Sequence, residues 1–365
     1  MKILKTIIQS LLGIEWIRRG LSAFSCVNAT IFSSTYLLSI PYHWLAFLPF
    51  MREQRAVLDG KKRYHRNANA PQSNRVALRR NIHRLEKGLL MDPRRDVFAQ
   101  EYILETTHAY RQAVEQRQQG ECPVDEDELI WANNVLTEFF EVTQAVGNIA
   151  SASHVFRQAG ERFTPQETGR KPYIRPQDVN LPAYDDLLNL SMYRRSVRWF
   201  QPKIVEREFI EKALLVARQA PTACNRLPYT FRIFDEPALV KKVASIPFGT
   251  AGYAENIPVI AVLVGKLESY FSARDRHAIY VDASLAAMSF AFALEVQGLS
   301  TCMINWPEFE PLEQKMQRAL SLNFSDRVVM LIAIGYADPA RKVPYSQKKS
   351  LESIREYNFE GWSCD

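Results

Sequence analysis

The pattern of apolar and polar positions divides the chain into a helical first half and a second half of short alternating elements. In residues 1–21, Ile3, Leu4, Ile7, Ile8, Leu11, Leu12 and Ile14 recur at helical spacing among Lys2, Lys5, Arg18 and Arg19, which predicts a basic amphipathic helix. Trp16 suits a lipid interface, and the same apolar stripe equally suits packing on the protein's own body. From Gly20 to Met51 there is no Asp, Glu, Lys or Arg. That run is long enough to cross a bilayer. It reads as a poor spanning helix, because Ser22, Ser25, Asn28, Thr30, Ser33, Ser34, Thr35 and Ser39 dilute it and Pro41 interrupts it. Spanning, re-entrant and peripheral association all stay open. No short apolar run followed by a small-residue cleavage site marks a signal peptide.

Residues 52–66 are basic and polar, and residues 67–74 read as a linker. Three helices are then predicted. The first, 73–90, turns Val76, Leu78, Ile82, Leu85 and Leu89 inward; its charges read as a solvated face with i,i+4 pairs. The second, 96–118, buries Phe98, Tyr102, Ile103, Tyr110 and Val114, and the third, 125–148, buries Leu129, Ile130, Val135, Leu136, Phe139 and Val142. Gly120 and Pro123 separate the last two. Residues 150–190, rich in Pro, Arg and polar side chains, read as a long connecting arm.

From residue 186 strands and helices alternate. Helices are expected at 206–220, 277–297 and 311–321, with strands at 229–234, 256–264, 299–305 and 327–335. The 277–297 helix is apolar nearly all round, so it should be buried on every side, with a subunit interface along it. Residues 338–361 read as an arm. The fold class is α+β: a mixed, mainly antiparallel sheet flanked by helices, preceded by a mostly helical extension. The expected divisions are a basic segment over 1–66, a helical extension and connecting arm over 67–185, and a domain over 186–365.

Charge changes this picture only at the N-terminus. The net +6 is unevenly spread: residues 1–100 hold 17 Lys and Arg against 6 Asp and Glu, so +11, and the remainder is −5. An anionic partner, such as a membrane surface, is therefore expected through residues 1–66; nucleic acid is not. The five cysteines, Cys26, Cys122, Cys224, Cys302 and Cys364, are scattered and odd in number, and no His spacing suits a metal. This fits a reducing, cytoplasmic setting, peripheral to the inner membrane face if the basic segment binds there, and no metal site is expected. Cys224 and Cys302 lie in apolar runs without a neighbouring His, which favours small buried residues over nucleophiles. Asp282 reads as a cap-region charge or an interface partner, and His277 as a surface residue. Trp306 and Phe309 suit either the core or a pocket wall.

The densest candidate chemistry is Tyr193-Arg194-Arg195-Ser196-Val197-Arg198-Trp199-Phe200. Three planar guanidinium forks and a hydroxyl within five residues suit phosphate oxygens. It is followed in fixed order by A-P-T-A-C-N-R-x-P (220–228), N-I-P-V-I (256–260), D-A-S-L-A-A with G-L-S-T-C (282–302), I-G-Y (334–336) and K-K-S-L-E-S-I (348–354). This series, over about 186–358, resembles the nitroreductase family of FMN-dependent oxidoreductases. H-R-L-E-K-G-L at 83–89 is similar to the N-terminal part of bacterial nitroreductase-like proteins linked to surface-polysaccharide genes.

The resemblance implies a homodimer with FMN at the interface. It implies that Arg194, Arg195 and Ser196 hold the phosphate and ribityl chain, with Lys348 and Lys349 closing on the phosphate. Arg198 would lie near N1 and O2 of the flavin, where a fixed cation stabilises the charge left by hydride arriving at N5. Pro221, Thr222, Ala223, Cys224 and Asn225 would approach the ring from the partner subunit, and Thr301, Cys302 and Met303 would line the other side. The chain departs from the family at Leu227, often Gln, at Tyr229, often Trp, and in its Lys-Lys pair, which offers point charges instead of a fork. No side chain is implied as catalytic. The implied reaction is ping-pong hydride transfer from NADH or NADPH, through FMN, to an organic acceptor. A dehydrogenase or oxidase of a saccharide or lipid-linked intermediate, and a non-catalytic scaffold of the same fold, are the alternatives.

Overall fold

The computed structural model describes residues 14–46, 48–68, 75–120 and 125–358. In chain order the helices are α1 (Glu15–Ser33), α2 (Tyr36–Ala46), α3 (Leu48–Ala68), α4 (Arg75–Leu89), α5 (Ile103–Gln119), α6 (Glu126–Val142), α7 (Asn148–Gly160), α8 (Tyr184–Tyr193), α9 (Arg207–Ala217), α10 (Pro237–Ala244), α11 (Ala278–Glu295) and α12 (Glu310–Leu320). The strands are β1 (Tyr229–Phe234), β2 (Val259–Lys266), β3 (Ser300–Asn305) and β4 (Asp326–Gly335). The chain divides into two compact units, one of Met1–Asn69, Lys266–Arg276 and Pro307–Arg327, the other of Ala70–Gly265, His277–Trp306 and Val328–Asp365.

In the first unit the charge-free run is not one long helix. It is cut between α1 and α2 at Ser34 and Thr35, and Pro41 sits inside α2 rather than interrupting it. The polar side chains that dilute it turn back on their own helix: Asn28 Nδ2 donates to Phe24 O at 2.8 Å and Thr30 Oγ1 to Cys26 O at 2.9 Å. The part of the expected amphipathic helix before Ile14 lies outside the described residues. The basic 52–66 stretch is the body of α3. Gly60 lets α3 approach the 267–269 turn, where a Cβ would fall 2.8 Å from Leu267 Cβ. Arg52 Nη2 reaches Glu310 Oε1 at 2.7 Å, and the buried Arg327 meets Glu308 at 2.7 Å and Glu313 at 3.3 Å. Buried charges of this kind persist because each is paired.

In the second unit α4 to α7 form a helical layer with its own core, centred on Ile82, Leu85, Ile103, Tyr110, Leu129, Leu136, Phe139 and Ile149. The 83–89 motif is part of this packing. Trp131 Nε1 donates to Glu86 Oε1 at 2.8 Å, Arg84 lies 3.6 Å over the Tyr102 ring, and Leu85 is fully buried. A Cβ at Gly88 would run into the Phe98 ring, so a larger residue there requires that ring to move. Helix α5 starts at Ile103 rather than 96, after an irregular segment in which Ala99 has φ 63°. The stretch from 148 corrects the expected connecting arm, because α7 is a full helix that packs on α5. Its sequence is Ala- and Ser-rich and buries only Ile149, Ala152 and Ala159, too sparse a stripe to read as a period.

The sheet has the order β1-β2-β4-β3. Tyr229 pairs with Gly265 and Phe234 with Ile260, so β1 and β2 are antiparallel, and Ser300 opposite Gly335 sets the antiparallel β3–β4 pair. The end of β2 lies beside the start of β4, where Leu267 N–H donates to Ser325 O at 3.1 Å, and Pro258 packs on Gly335 at the opposite end. β2 is buried along both faces, as its unbroken apolar run requires. Helices α9 and α11 cover one face, bringing Ile210, Ala213, Ala283, Ala287, Phe290 and Leu294 onto Val259, Ala261, Leu263, Ile332 and Ile334. Within one chain α11 is buried on that side only, not all round: Val281, Leu285 and Met288 form an exposed apolar stripe. Among the described residues the one helix long and apolar enough to cross a membrane is Ala273–Glu295, which contains this core helix.

Candidate functional site

The arginine segment leaves α8 and lies along the outer edge of the sheet. Ser196 bridges Thr301 of β3, and Val197 N–H donates to Thr301 O at 3.0 Å. Asn256 then clamps the backbone of Phe200 from both sides: its Oδ1 accepts from Phe200 N–H, and its Nδ2 donates to Phe200 O at 3.1 Å. Gly335 completes this wedge. A Cβ there would fall 2.6 Å from Pro258 Cγ and 2.8 Å from Phe200 Cδ1. The N of N-I-P-V-I and the G of I-G-Y therefore serve to fix the end of the arginine segment.

The structure places Ser196 against Thr301 of β3, with Arg194, Arg195 and Arg198 on either side of that bridge. Cys302 and Met303 follow Thr301 along the strand, and Met303 packs into the core under α9 and α11 rather than beside the arginines. Arg194 Nε and Thr301 Oγ1 are buried polar atoms with no hydrogen-bond partner. Arg194 also lies near the buried Glu295, whose carboxyl is pushed up by burial against the opposing pull of Ser300 Oγ, at 3.0 Å, and of Arg194. Arg198 is exposed, with its guanidinium 5.9 Å from the Tyr253 ring centroid. The Tyr253 hydroxyl lies 3.8 Å from Cys302 Sγ. Burial raises the Tyr253 pKa, Cys302 raises it further, and Arg198 opposes both. Cys302 is buried, as expected of a packing cysteine. Nothing in the sequence marks Tyr253, which sits between two short 3₁₀ turns with no periodic signal.

The C-terminal arm passes the same segment. Phe200 bridges Ala337, Asp338 N–H donates to Trp199 O at 3.0 Å, and Arg195 Nη1 donates to Tyr345 O at 3.1 Å. Lys348 and Lys349 stand exposed a few residues further on.

Pro221 to Asn225 form a separate feature. Cys224, Asn225 and Leu227 all have positive φ, at 55°, 52° and 47°, a conformation that costs each L-residue about 1 kcal/mol. The turn is tied internally by Leu227 N–H to Thr222 Oγ1 at 3.1 Å and by Arg226 Nη1 to Ala223 O at 3.2 Å. It is tied externally by Ala223 N–H to Asp282 Oδ2 at 3.0 Å. Asp282 is thus a buried acceptor holding this turn rather than a cap-region charge. Within one chain the turn is fastened to α11 and α4, not to the arginine segment. His277 is exposed, Trp306 is buried, and Phe309 is half-exposed.

A family model for nitroreductases matches residues 192–336. Those residues form a nitroreductase domain. An iodotyrosine deiodinase from Haliscomenobacter hydrossis is 23% identical over 223 residues, spanning 54% of this chain and 94% of its own. Among solved structures, an FMN-dependent nitroreductase from Clostridium difficile is 21% identical, with 47% of this chain and 99% of that one covered at a TM-score of 0.41. A nitroreductase family protein from Streptococcus pneumoniae gives 21%, 47%, 99% and 0.41 in the same order. The matched region runs from Met192, just ahead of the arginine segment, through Tyr336, and the helical layer and the C-terminal arm lie outside it.

Proposed function

We propose that the nitroreductase domain binds FMN between two copies of the chain and works as an NAD(P)H-dependent two-electron oxidoreductase on an organic acceptor. The observation that carries this reading is the pair of unpartnered buried polar atoms, Arg194 Nε and Thr301 Oγ1, beside an R-R-S-x-R segment pinned to β3. Burying such atoms without partners is costly, so they fit a site that a polar, anionic group completes. Arg194, Arg195 and Ser196 would hold the phosphate and ribityl chain, with Lys348 and Lys349 on the arm adding positive charge. Arg198 would place a cation beside the ring, while Thr301, Cys302 and Met303 wall one side and Pro221 to Asn225 of the partner subunit the other. Bound FMN supplies the two-electron chemistry, so no side chain of the protein is asked to act as a general base. The stripe of Val281, Leu285 and Met288 on α11 supports the dimer, since a soluble helix seldom leaves such a face to water.

The test is the visible spectrum of the purified full-length protein, followed by anaerobic titration with NADH and with NADPH. A yellow protein bleached by either supports the proposal. Bound flavin that neither bleaches supports the scaffold alternative instead.

A second reading concerns the N-terminal segment. Trp16, Phe24, Tyr36, Leu37, Ile40 and Trp44 are all exposed on α1 and α2, within or beside the charge-free run. Exposed aromatic and aliphatic side chains next to a basic stretch suit peripheral binding to an anionic membrane, which would bring the enzyme to a lipid-linked saccharide or similar acceptor. Flotation with vesicles of anionic and of zwitterionic lipid tests it; no binding to either removes it.

A further inference from the structure

The turn at 222–227 holds three of the seven non-glycine residues with positive φ among the described residues. Backbone of this kind persists only where its surroundings over-determine it. Asp282 supplies one outside tie, from within the nitroreductase domain. The other comes from outside the domain, from α4 of the helical layer. Arg79 Nε donates to Asn225 O at 3.1 Å, and its Nη1 lies 3.5 Å from Glu128 Oε1 of α6. Glu128 is a buried carboxylate, its side chain 5% exposed. The Arg79 guanidinium also lies 5.4 Å from the Trp131 ring centroid, and Trp131 is fixed in turn by Glu86. The guanidinium is thus held by an acid and a ring before it reaches the turn, so its hydrogen bond costs little ordering.

We propose that Arg79, backed by Glu128, is a positioning residue that sets the shape of the 222–227 turn, which makes the helical layer a working part of the flavin site. The link to flavin rests on the function proposed above; the link to the turn does not. Loss of the Arg79 fork leaves the Asn225 carbonyl without its charged donor and releases a strained turn toward ordinary backbone.

The experiment uses the full-length protein with Arg79→Met, Arg79→Lys and Glu128→Gln, and Arg84→Met as a control. Arg84 lies on the same helix but stacks on Tyr102. Two quantities are read: hydrogen exchange of peptides covering 222–229, and the FMN dissociation constant from flavin fluorescence. Arg79→Met should speed exchange in the turn about tenfold and raise the FMN dissociation constant by about tenfold, the scale of one charge-assisted hydrogen bond. Exchange across 149–160, in α7 and without a contact to Arg79, should stay unchanged. Arg79→Lys should fall between wild type and Arg79→Met, and Arg84→Met should match wild type in both readouts. Turn exchange within twofold of wild type in Arg79→Met, or equal effects from Arg84→Met, would overturn the proposal. If Arg79→Met fails to fold, the nearly isosteric Glu128→Gln carries the test, and no change in turn exchange there overturns it. Wild-type protein that takes up no FMN sinks the functional reading, while turn exchange still decides the role of Arg79 by the same criterion.

Discussion

Gly335→Ala tests the wedge that ends the arginine segment. A Cβ at this position would fall 2.6 Å from Pro258 Cγ and 2.8 and 3.0 Å from Phe200 Cδ1 and Cγ. The proline ring cannot rotate away, and Phe200 is 3% exposed with its backbone clamped by Asn256. The strain must therefore go into the Phe200 side chain or the local backbone. Overpacking of this kind costs about 1–3 kcal/mol. The gain from replacing a strand glycine offsets only part of that, about 0.5–1 kcal/mol. A net loss of about 1–2 kcal/mol is expected from urea unfolding monitored by tryptophan fluorescence, with an unchanged slope. Phe200→Leu alone should also destabilise, by leaving a gap. Combined with Gly335→Ala it should recover part of the loss, a coupling of about 0.5–1.5 kcal/mol in the double-mutant cycle. Strictly additive effects, or a Gly335→Ala protein within 0.5 kcal/mol of wild type, would refute the account of the I-G-Y glycine.

Asp59→Asn should lower stability at neutral pH. Burial pushes the Asp59 carboxyl up, but hydrogen bonds from Lys62 and Arg63 outweigh it and hold its pKa down at about 2. A folded pKa below the unfolded value near 3.9 stabilises above that value, and the benefit is lost as pH falls toward about 2. The gap between wild type and variant, about 1–2 kcal/mol at pH 7, should therefore shrink between about pH 5 and pH 2 in urea melts at stepped pH; a constant gap contradicts it. Leu285→Glu with Met288→Glu should turn a dimer into a monomer by light scattering and lower flavin content with it, whereas an unchanged dimer would exclude α11 from the interface.

Most elements of the second half were legible because burial marks them, but α8 and the short α10 had no expected counterpart. β2 is an unbroken apolar run, α9 carries its core stripe at helical spacing, α11 is a long helix apolar nearly all round, and Gly298 follows it at φ 80°. Helix α7 was not legible, because Ala and Ser pack closely without an apolar stripe. The site was legible in its charged and motif residues and illegible in what holds them. Asn256, Gly335 and Asp282 stood in the quoted motifs, yet their clamping roles depend on contacts 56 to 59 residues away in sequence, or on a Cβ that is absent. Tyr253 and Arg79 carry no local signal at all: one is an isolated tyrosine in a turn, and the other looks like any arginine on a solvated helix face.

An FMN cradle between Arg194 and Arg198 is read most directly from FMN affinity, measured by fluorescence quenching, in wild type and in Arg194→Met. Each charge-assisted hydrogen bond to phosphate is worth about 1.5–3 kcal/mol, so the variant should bind roughly ten- to a hundredfold more weakly at unchanged thermal stability. FMN bound equally well by both proteins would contradict the account.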